Sequence, residues 1–252
     1  MPGYILCASP RSGSTLLCDL LLQTNVAGQP NSFFRPQSVG NWCSRWGLPA
    51  TDLATFDQTF LDAAIAAGTH GTGTFGMRIM HDNIAALLHR LRALQGPGDD
   101  CTILTRAFGP LAFVHLSRTD KVAQAVSLTI AEQTGLWHKN ADGTDRENFR
   151  LSSKPIYDHD QIALELAGLE AESLGWNTWF AANKISPLSV TYEGLAADPK
   201  TTLARVLTHI NQDPDLANTI TPGTQRLANA LNVAWASRFR AETGLPFAPR
   251  EA

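Results

Sequence analysis

The sequence lacks the features that mark an exported, a membrane-spanning or a nucleic-acid-binding protein. Its four cysteines have no CxxC spacing and no close Cys/His pairing, so we expect free thiols and no bound metal. No run of about 18 apolar residues occurs, and no basic segment leads into a long apolar one at the start, which favours a cytoplasmic location. The formal net charge is -3 and the basic residues are dispersed, which argues against a nucleic acid as partner.

The apolar runs predict an α/β fold with a central, mostly parallel sheet flanked by helices. Four runs have the length of buried strands: 4–8, 74–80, 111–116 and 188–192. Helical patterns lie at or near 15–23, 52–67, 82–94, 119–134, 158–183, 200–211 and 224–242. Strands that alternate with helices in this way favour a doubly wound sheet, and we expect residues 1–252 to form a single domain.

Residues 135–157 do not fit this alternation. The stretch is rich in Asn, Asp, Gly, Ser and Lys and is too long for an ordinary connection, so it predicts a lid beside a ligand or an insertion. A solvated surface loop without a role is the alternative.

The segment between the first strand and the first helix is a candidate phosphate loop. Amide groups and the helix dipole favour an anion at such a position. Its side chains add donors and its glycine permits close backbone approach: Arg11, Ser12, Gly13, Ser14 and Thr15. A helix cap would account for one of these hydroxyls but not for the whole set.

Other phosphate signatures do not describe this loop. The GxxxxGK pattern of nucleoside triphosphatases would need a leading Gly and a Lys, which are missing here. A cysteine phosphatase would place its Arg farther from its Cys than Arg11 stands from Cys7. A GxGxxG match at 71–76 precedes a predicted strand instead of following one, so it does not indicate a dinucleotide site.

Taken with its surroundings, ILCASPRSGSTLLCDLL resembles the opening of sulfotransferases. Further segments are similar, in the same order, to the mycobacterial trehalose 2-sulfotransferase family, whose members include lipopolysaccharide and Nod-factor type sulfotransferases. They are Val26–Phe34, Phe75–Asn83, His115–Ser127, Val190–Leu195 and Trp235–Arg240. The likeness covers nearly the whole chain and implies a P-loop-like sulfotransferase fold.

The resemblance implies a sulfuryl donor and the residues that bind it. The loop would hold the 5' phosphosulfate of PAPS (3'-phosphoadenosine 5'-phosphosulfate), with PAP as product and no metal. Arg118 and Ser127 would hold the 3'-phosphate, since Arg118 ends an apolar strand at the ligand-binding edge of the sheet. An ion pair between Arg118 and Asp120 is the alternative. Tyr192 would flank the adenine.

The catalytic groups depart from the family pattern. By the resemblance, Arg78 stands where the family has a Lys, and with Arg11 it would stabilise charge on the leaving phosphate; a structural ion pair is the alternative for Arg78. Gln29 and Ser32 stand where the family usually has glutamates, one of them taken as the base, and neither is a base at neutral pH. His81, just beyond a strand, is the candidate replacement.

Several further residues leave alternatives open. Asp82 competes with His81 as the base, although an Asp at that position more often caps a helix. His138 and Glu132, which flank the possible lid, are further candidates for the base. Five aromatic residues could floor an acceptor pocket or form core or dimer contacts: Phe33, Phe34, Trp42, Trp46 and Trp137. Arg238 and Arg240 could close over the nucleotide or decorate a helix face.

The leading hypothesis is an enzyme that moves a sulfuryl group from PAPS to a hydroxyl of a carbohydrate or glycolipid. A PAPS-binding or PAP-binding homologue that has lost catalysis is the second, suggested by Gln29 and Ser32. A small-molecule kinase is the third, and the 3'-phosphate site argues against it. Family resemblance also allows a homodimer.

Overall fold

The computed structural model describes residues 2–137, 154–221 and 230–246. Within them, four strands flanked by helices form one fully parallel sheet, which confirms the predicted fold class. The strands are β1 (Gly3–Ala8), β2 (Phe75–Met80), β3 (Leu111–Ser117) and β4 (Leu188–Thr191), in the order β2-β1-β3-β4. The first strand in the chain therefore lies in the interior of the sheet.

Helices connect and cover the strands. They are α1 (Ser14–Gln23), α2 (Pro36–Trp46), α3 (Gln58–Thr69), α4 (His81–Gln95), α5 (Asp100–Phe108), α6 (Lys121–Thr134), α7 (His159–Ala182), α8 (Tyr192–Ala197), α9 (Pro199–His209) and α10 (Ala230–Thr243), with a 3-10 helix at Pro214–Thr219. Five begin after an Asp whose carboxylate accepts an amide of the first turn: Asp57, Asp99, Asp120, Asp158 and Asp198. These caps satisfy amides that the helix cannot pair internally.

The alternation of side chains along β1 divides the core into two layers. Ile5 and Cys7 point to one face, where α2, α3, α4, α5 and α7 pack. Tyr4 and Leu6 point to the other face, where α1 and α9 pack. A third, smaller cluster joins α6, α7 and α10. All of these strand residues are fully buried, as expected for a parallel sheet covered on both sides.

The register of the sheet brings three connections to one edge. Ala8 at the end of β1 lies opposite Met80 of β2 and Leu116 of β3. The segments that follow these strands therefore leave the sheet at nearly the same level. Trp176 of α7 donates its indole N–H to the Ala8 carbonyl oxygen at 2.9 Å, which fixes α7 at this edge.

The structure corrects several predicted boundaries. The helix expected near 52–67 begins only at Gln58, after a turn in which Asp52 accepts nearby amides. Helices α2 and α5 were not predicted. Tyr192 does not end a strand but begins α8, because Thr191 caps that helix.

Some predictions fall partly or wholly outside the described residues. This applies to His138 and to most of the expected lid at 135–157, and the single domain over 1–252 stays a prediction. All four cysteines are free thiols. Among the helices of the described ranges, none has the length and apolar character needed to cross a membrane.

Candidate functional site

The segment from Ser9 to Gly13 turns sharply from β1 into α1. The Ser12 hydroxyl donates to the Ser9 carbonyl oxygen at 2.7 Å, and Arg11 and Gly13 adopt the left-handed conformation with φ of 60° and 85°. In the described part of the chain, no side chain caps the first turn of α1. The amides at the positive end of this helix can therefore bind an anion.

Arg78 reaches from β2 to the first turn of α1. Its Nη1 donates to the hydroxyls of Ser14 at 3.3 Å and Thr15 at 3.0 Å. Its Nε donates to the Ser32 hydroxyl at 2.9 Å. These partners are neutral, and among the described residues no carboxylate lies within ion-pair distance of Arg78. The guanidinium charge thus adds to the positive potential at the start of α1.

Arg11 connects the loop to the residues predicted for the 3'-phosphate. Its Nε donates to the Ser127 hydroxyl at 3.0 Å, and its Nη1 donates to the Trp137 carbonyl oxygen. Arg118 is only 8% exposed, and its Nη1 donates to the Arg11 carbonyl oxygen at 3.4 Å. Arg118 and Ser127 come from β3–α6 and the loop comes from β1–α1, so the fold brings the two segments together.

Tyr192 packs against both segments. The Arg118 guanidinium carbon lies 4.5 Å from the centroid of the Tyr192 ring, a cation–π geometry. A Cβ atom added at Gly13 would lie 2.7 Å from the Tyr192 Cδ2 atom. The loop can pass this close to the ring because residue 13 is glycine.

Asp120, considered above as a partner of Arg118, forms an ion pair with Arg240. The distance from Asp120 Oδ1 to Arg240 Nη2 is 2.5 Å, and Arg240 is 6% exposed. Arg240 therefore ties α10 to the start of α6. Arg238 instead lies on the exposed face of α10, where it pairs with Glu242 at 2.7 Å and covers the Tyr157 ring.

Glu193 is a site-proximal residue that the sequence did not reveal. Its carboxylate accepts the amides of Thr119 at 3.1 Å and Asp120 at 3.2 Å. It therefore holds the turn that follows Arg118. The only sequence signal was its place beside Tyr192 in the segment VTYEGL.

Gln124 of α6 holds the loop in place through buried hydrogen bonds. It is fully buried, and its amide donates to the Ser9 hydroxyl at 2.9 Å and to the Pro10 carbonyl oxygen at 2.6 Å. Its own oxygen accepts from the Lys121 ammonium group at 3.3 Å. A single Gln in a helix carries no sequence signal, so these contacts could be found only from the structure.

Glu172 of α7 lies within electrostatic reach of this network. Burial, and next the negative charge of Asp82, raise its pKa to about 7, while Lys121 acts in the opposite direction. Its Oε2 atom is buried and has no hydrogen-bond partner among the described residues. Burial also lowers the pKa of Lys121. A carboxyl that titrates near neutral pH therefore lies close to the loop support.

His81 begins α4 at the carboxyl edge of the sheet. Its ring lies 5.4 Å from the Trp176 ring in an edge-to-face arrangement. A Cβ atom at Gly175 would overlap the His81 ring, so the absence of a side chain there lets α7 approach it closely.

The other candidate bases lie on α4 and α6. Asp82 is exposed and lies in the first turn of α4, where its carboxylate accepts from the side-chain amide of Asn83. It does not cap the helix, because the residue that precedes α4 is Met80. Glu132 is farther along α6, and burial followed by Glu165 raises its pKa.

The aromatic residues divide between core and cavity. Phe33 and Phe34 are buried in the core, Trp46 packs on Phe33 and Trp42, and Trp137 packs against the α6–α7–α10 cluster. Trp42 alone of the five lines a cavity of about 210 Å³ beside Arg78. Of the alternatives left open above, core packing describes Phe33 and Phe34, and Trp42 lines this cavity.

The fold and these contacts define an α/β protein with a candidate anion-binding site at the carboxyl edge of a parallel sheet. Within the described ranges, no cluster of three or more His, Cys, Asp or Glu side chains could hold a metal ion. The positive charge at the site comes from Arg11, Arg78, Arg118 and the amino end of α1.

Comparison with known proteins identifies the family. The sequence profile of the Stf0 sulphotransferase family matches residues 3–242, and the chain belongs to this family. It is similar to the trehalose 2-sulfotransferase of Mycobacterium tuberculosis (strain ATCC 35801 / TMC 107 / Erdman), with 31% identity over 96% of this chain and 97% of the relative. The trehalose 2-sulfotransferase of Mycolicibacterium smegmatis (strain ATCC 700084 / mc(2)155) is 28% identical over 97% of both chains.

One solved structure is also similar: the sulfotransferase domain from the Synechococcus PCC 7002 olefin synthase. It has a TM-score of 0.46 and 17% identity, and the match covers 95% of this chain and 94% of that one. The family match confirms the resemblance found in the sequence, and the chain is an enzyme of the sulfotransferase type. The comparisons give no support to a homologue that has lost catalysis.

Proposed function

We propose that this sulfotransferase moves the sulfuryl group of PAPS to a hydroxyl of a carbohydrate or glycolipid. The observation that carries the proposal is one loop flanked by two cationic positions. Arg78 lies at the start of α1, and Arg11 lies with Arg118 and Ser127 on the other side. PAPS has anionic groups at the 5' and 3' positions of its ribose, so it would use both. The name of the relatives, trehalose 2-sulfotransferase, supports a carbohydrate acceptor.

The residues divide between the two ends of the donor. The 5' phosphosulfate would be bound by Ser12, Gly13, Ser14, Thr15 and Arg78. The 3'-phosphate would be bound by Arg11, Arg118 and Ser127. The Tyr192 ring, which already packs on Arg118, would flank the adenine. These groups supply hydrogen bonds and positive charge that suit phosphate and sulfate, so no metal is required.

The transfer forms a bond between the acceptor oxygen and sulfur while the bond from sulfur to the 5'-phosphate oxygen breaks. Negative charge grows on that leaving oxygen. Arg78 and the first-turn amides of α1 would stabilise this charge because the helix holds them in place before the reaction. Arg11, which the sequence suggested for this charge, donates instead to Ser127 and is therefore proposed for the 3'-phosphate. Gln124 would keep the loop in position through its contacts with Ser9 and Pro10.

His81 is the proposed acceptor of the proton that leaves the hydroxyl. It lies at the same sheet edge as Arg78 and is only partly buried, and a His ring nitrogen is the most common general base in enzymes. Glu172 is its competitor, since its pKa of about 7 also suits a base. The variants His81→Asn and Glu172→Gln distinguish them: the base variant should lose most of kcat at unchanged PAP affinity, and the other variant should not.

Sulfuryl transfer tests the proposal directly. Incubation with radiolabelled PAPS and either trehalose or extracted bacterial glycans should label an acceptor and release PAP. Melting experiments provide the second arm, in which PAP should raise Tm more than ATP does at equal concentration. A larger shift with ATP would favour a kinase, and tight PAP binding without any labelled acceptor would contradict the transferase proposal.

A further inference from the structure

The cavity beside the phosphate loop is lined by positively charged side chains and by no acidic ones. It lies between α2 and the end of β2, and its lining residues are Asn31, Ser32, Arg35, Ser38, Asn41, Trp42, Arg45 and Arg78. Three of the eight are arginines, and none is acidic. The polar remainder offers hydroxyl and amide groups of the kind that bind sugar hydroxyls.

The three arginines keep their charge without a carboxylate partner. Among the described residues, no Asp or Glu lies within ion-pair distance of Arg35, Arg45 or Arg78. The sequence explains this in part, because no acidic residue occurs between Asp19 and Asp52. Arg45 lies over the Trp42 ring at 4.9 Å, which holds its guanidinium group at the cavity wall.

The backbone adds to the same potential. Arg35 immediately precedes α2, Ser38 lies in its first turn, and both line the cavity, so the positive end of the helix points towards it. Arg35 offers no side-chain oxygen to cap this turn. An anion in the cavity would therefore interact with the helix end as well as with the side chains.

The cavity also adjoins the reacting position. Ser32 and Arg78 line it, and Arg78 donates to Ser14 and Thr15 at the start of α1. An acceptor in the cavity would thus lie next to the proposed place of the 5' phosphosulfate. Arg78 is engaged with the loop, whereas Arg35 and Arg45 are exposed and line the cavity.

We infer that the acceptor carries an anionic group, a carboxylate or a phosphate, which Arg35 and Arg45 bind while a neighbouring hydroxyl receives the sulfuryl group. This inference rests on the proposed function. A neutral sugar would leave both guanidinium groups without an anionic partner, so the cavity should discriminate in favour of the anionic acceptor. The discrimination should weaken with salt because the two arginines are exposed.

Matched pairs of acceptors test the inference. Initial rates with PAPS are compared for trehalose and trehalose 6-phosphate, and for glucose and glucuronate, so that phosphate and carboxylate are examined separately. At least one anionic member should have a kcat/KM about tenfold higher than its neutral counterpart, as expected for two charge-assisted contacts. Raising the salt concentration should reduce this ratio.

Two variants locate the effect. Arg35→Gln and Arg45→Gln should each lower kcat/KM for the preferred anionic acceptor about fivefold, chiefly through KM. They should leave PAP affinity unchanged and should lower kcat/KM for the neutral acceptors less than for the anionic ones. Arg205→Gln is the matched control, because Arg205 is also exposed but lies on α9 and donates to the Ser189 carbonyl oxygen. It should change none of these values.

Binding to the PAP-loaded protein separates the inference from the proposed function. If no acceptor is sulfated, the transfer proposal fails, but calorimetry with the same four compounds still reports acceptor preference. Tighter binding of trehalose 6-phosphate or glucuronate than of its neutral counterpart, lost in Arg35→Gln, supports the inference. Equal or weaker binding of both anionic compounds, or a preference that survives both Arg variants, overturns it.

Discussion

The arginines at the two sides of the phosphate loop differ in burial and in partners. On the β3–α6 side, Arg118 and Arg240 are less than a tenth exposed, and each makes defined contacts. On the α2 side, Arg35 and Arg45 are exposed and have no carboxylate partner among the described residues. A buried charge must be paired to be tolerated, whereas an exposed one can stay available for a ligand.

This difference suggests that the two sides have different tasks. The buried side is held together before the ligand arrives, which suits a donor that every reaction cycle uses. The exposed side leaves its charge unneutralised, which suits recognition of an acceptor. Four substitutions test the division, from the largest expected effect to the smallest.

Arg240→Met should have the largest effect on stability. It leaves the Asp120 carboxylate without its ion-pair partner and should lower the free energy of unfolding by about 3 kcal/mol. Denaturant unfolding measures the change. Arg45→Gln is the comparison from the exposed side and should cost less than about 0.5 kcal/mol. Equal losses for both would remove the distinction between the two sides.

Arg78→Gln should have the largest effect on catalysis. Loss of one preorganised cationic donor should lower kcat about a hundredfold, with a smaller change in PAP affinity. Steady-state rates and calorimetry measure the two quantities. Arg205→Gln, an exposed arginine of α9 that donates to the Ser189 carbonyl oxygen, should keep the original kcat. A kcat for Arg78→Gln within threefold or so of the original would exclude Arg78 from the reacting position.

Gly13→Ala should distort the loop. The added methyl group meets Tyr192 Cδ2 at 2.7 Å, and φ of 85° is itself unfavourable for alanine. We expect a loss of about 2 kcal/mol in stability and weaker PAP binding. Gly71→Ala is the control, since Gly71 has φ of 75° but open space around it and should show only the backbone cost of about 1 kcal/mol. Identical losses would show that contact with Tyr192 does not matter.

Glu172→Gln should change how stability depends on pH. The folded protein keeps a proton on Glu172 up to about pH 7, whereas the ordinary pKa is 4.5, so ionisation of this group destabilises the fold as pH rises between these values. The variant should match the original near pH 5 and be more stable by about 1 kcal/mol at pH 8. A stability difference that is independent of pH would contradict the raised pKa.

Much of the phosphate loop and of the β3–α6 side could be predicted, because the residues that indicate them are contiguous in the sequence. The loop follows an apolar strand and precedes an apolar helix, and Arg118 ends another apolar strand. Parallel strands deliver such residues to one edge, so the meeting of Arg118 with the loop follows from the fold class. The resemblance to sulfotransferases added Ser127.

The rest depends on contacts between distant segments. Helix α2 begins with Pro36 and contains Gly40, so its helical pattern is weak until Val39 and Cys43 pack into the core. The pairs Asp120–Arg240 and Gln124–Ser9 join residues more than a hundred positions apart. The pKa of Glu172 is raised because the packing of α7 buries its carboxyl group and, next, because that packing brings it near Asp82. No local sequence pattern predicts that these distant residues lie close together.

The most direct test of the account compares the affinities of PAP and AMP for the original protein, Arg118→Gln and Ser127→Ala. PAP differs from AMP by the 3'-phosphate alone. The account predicts that the original protein binds PAP at least tenfold more tightly, and that both variants lose most of this preference while AMP affinity stays the same. Equal affinity for PAP and AMP, or an undiminished preference in both variants, would contradict the convergence of the two segments on one nucleotide.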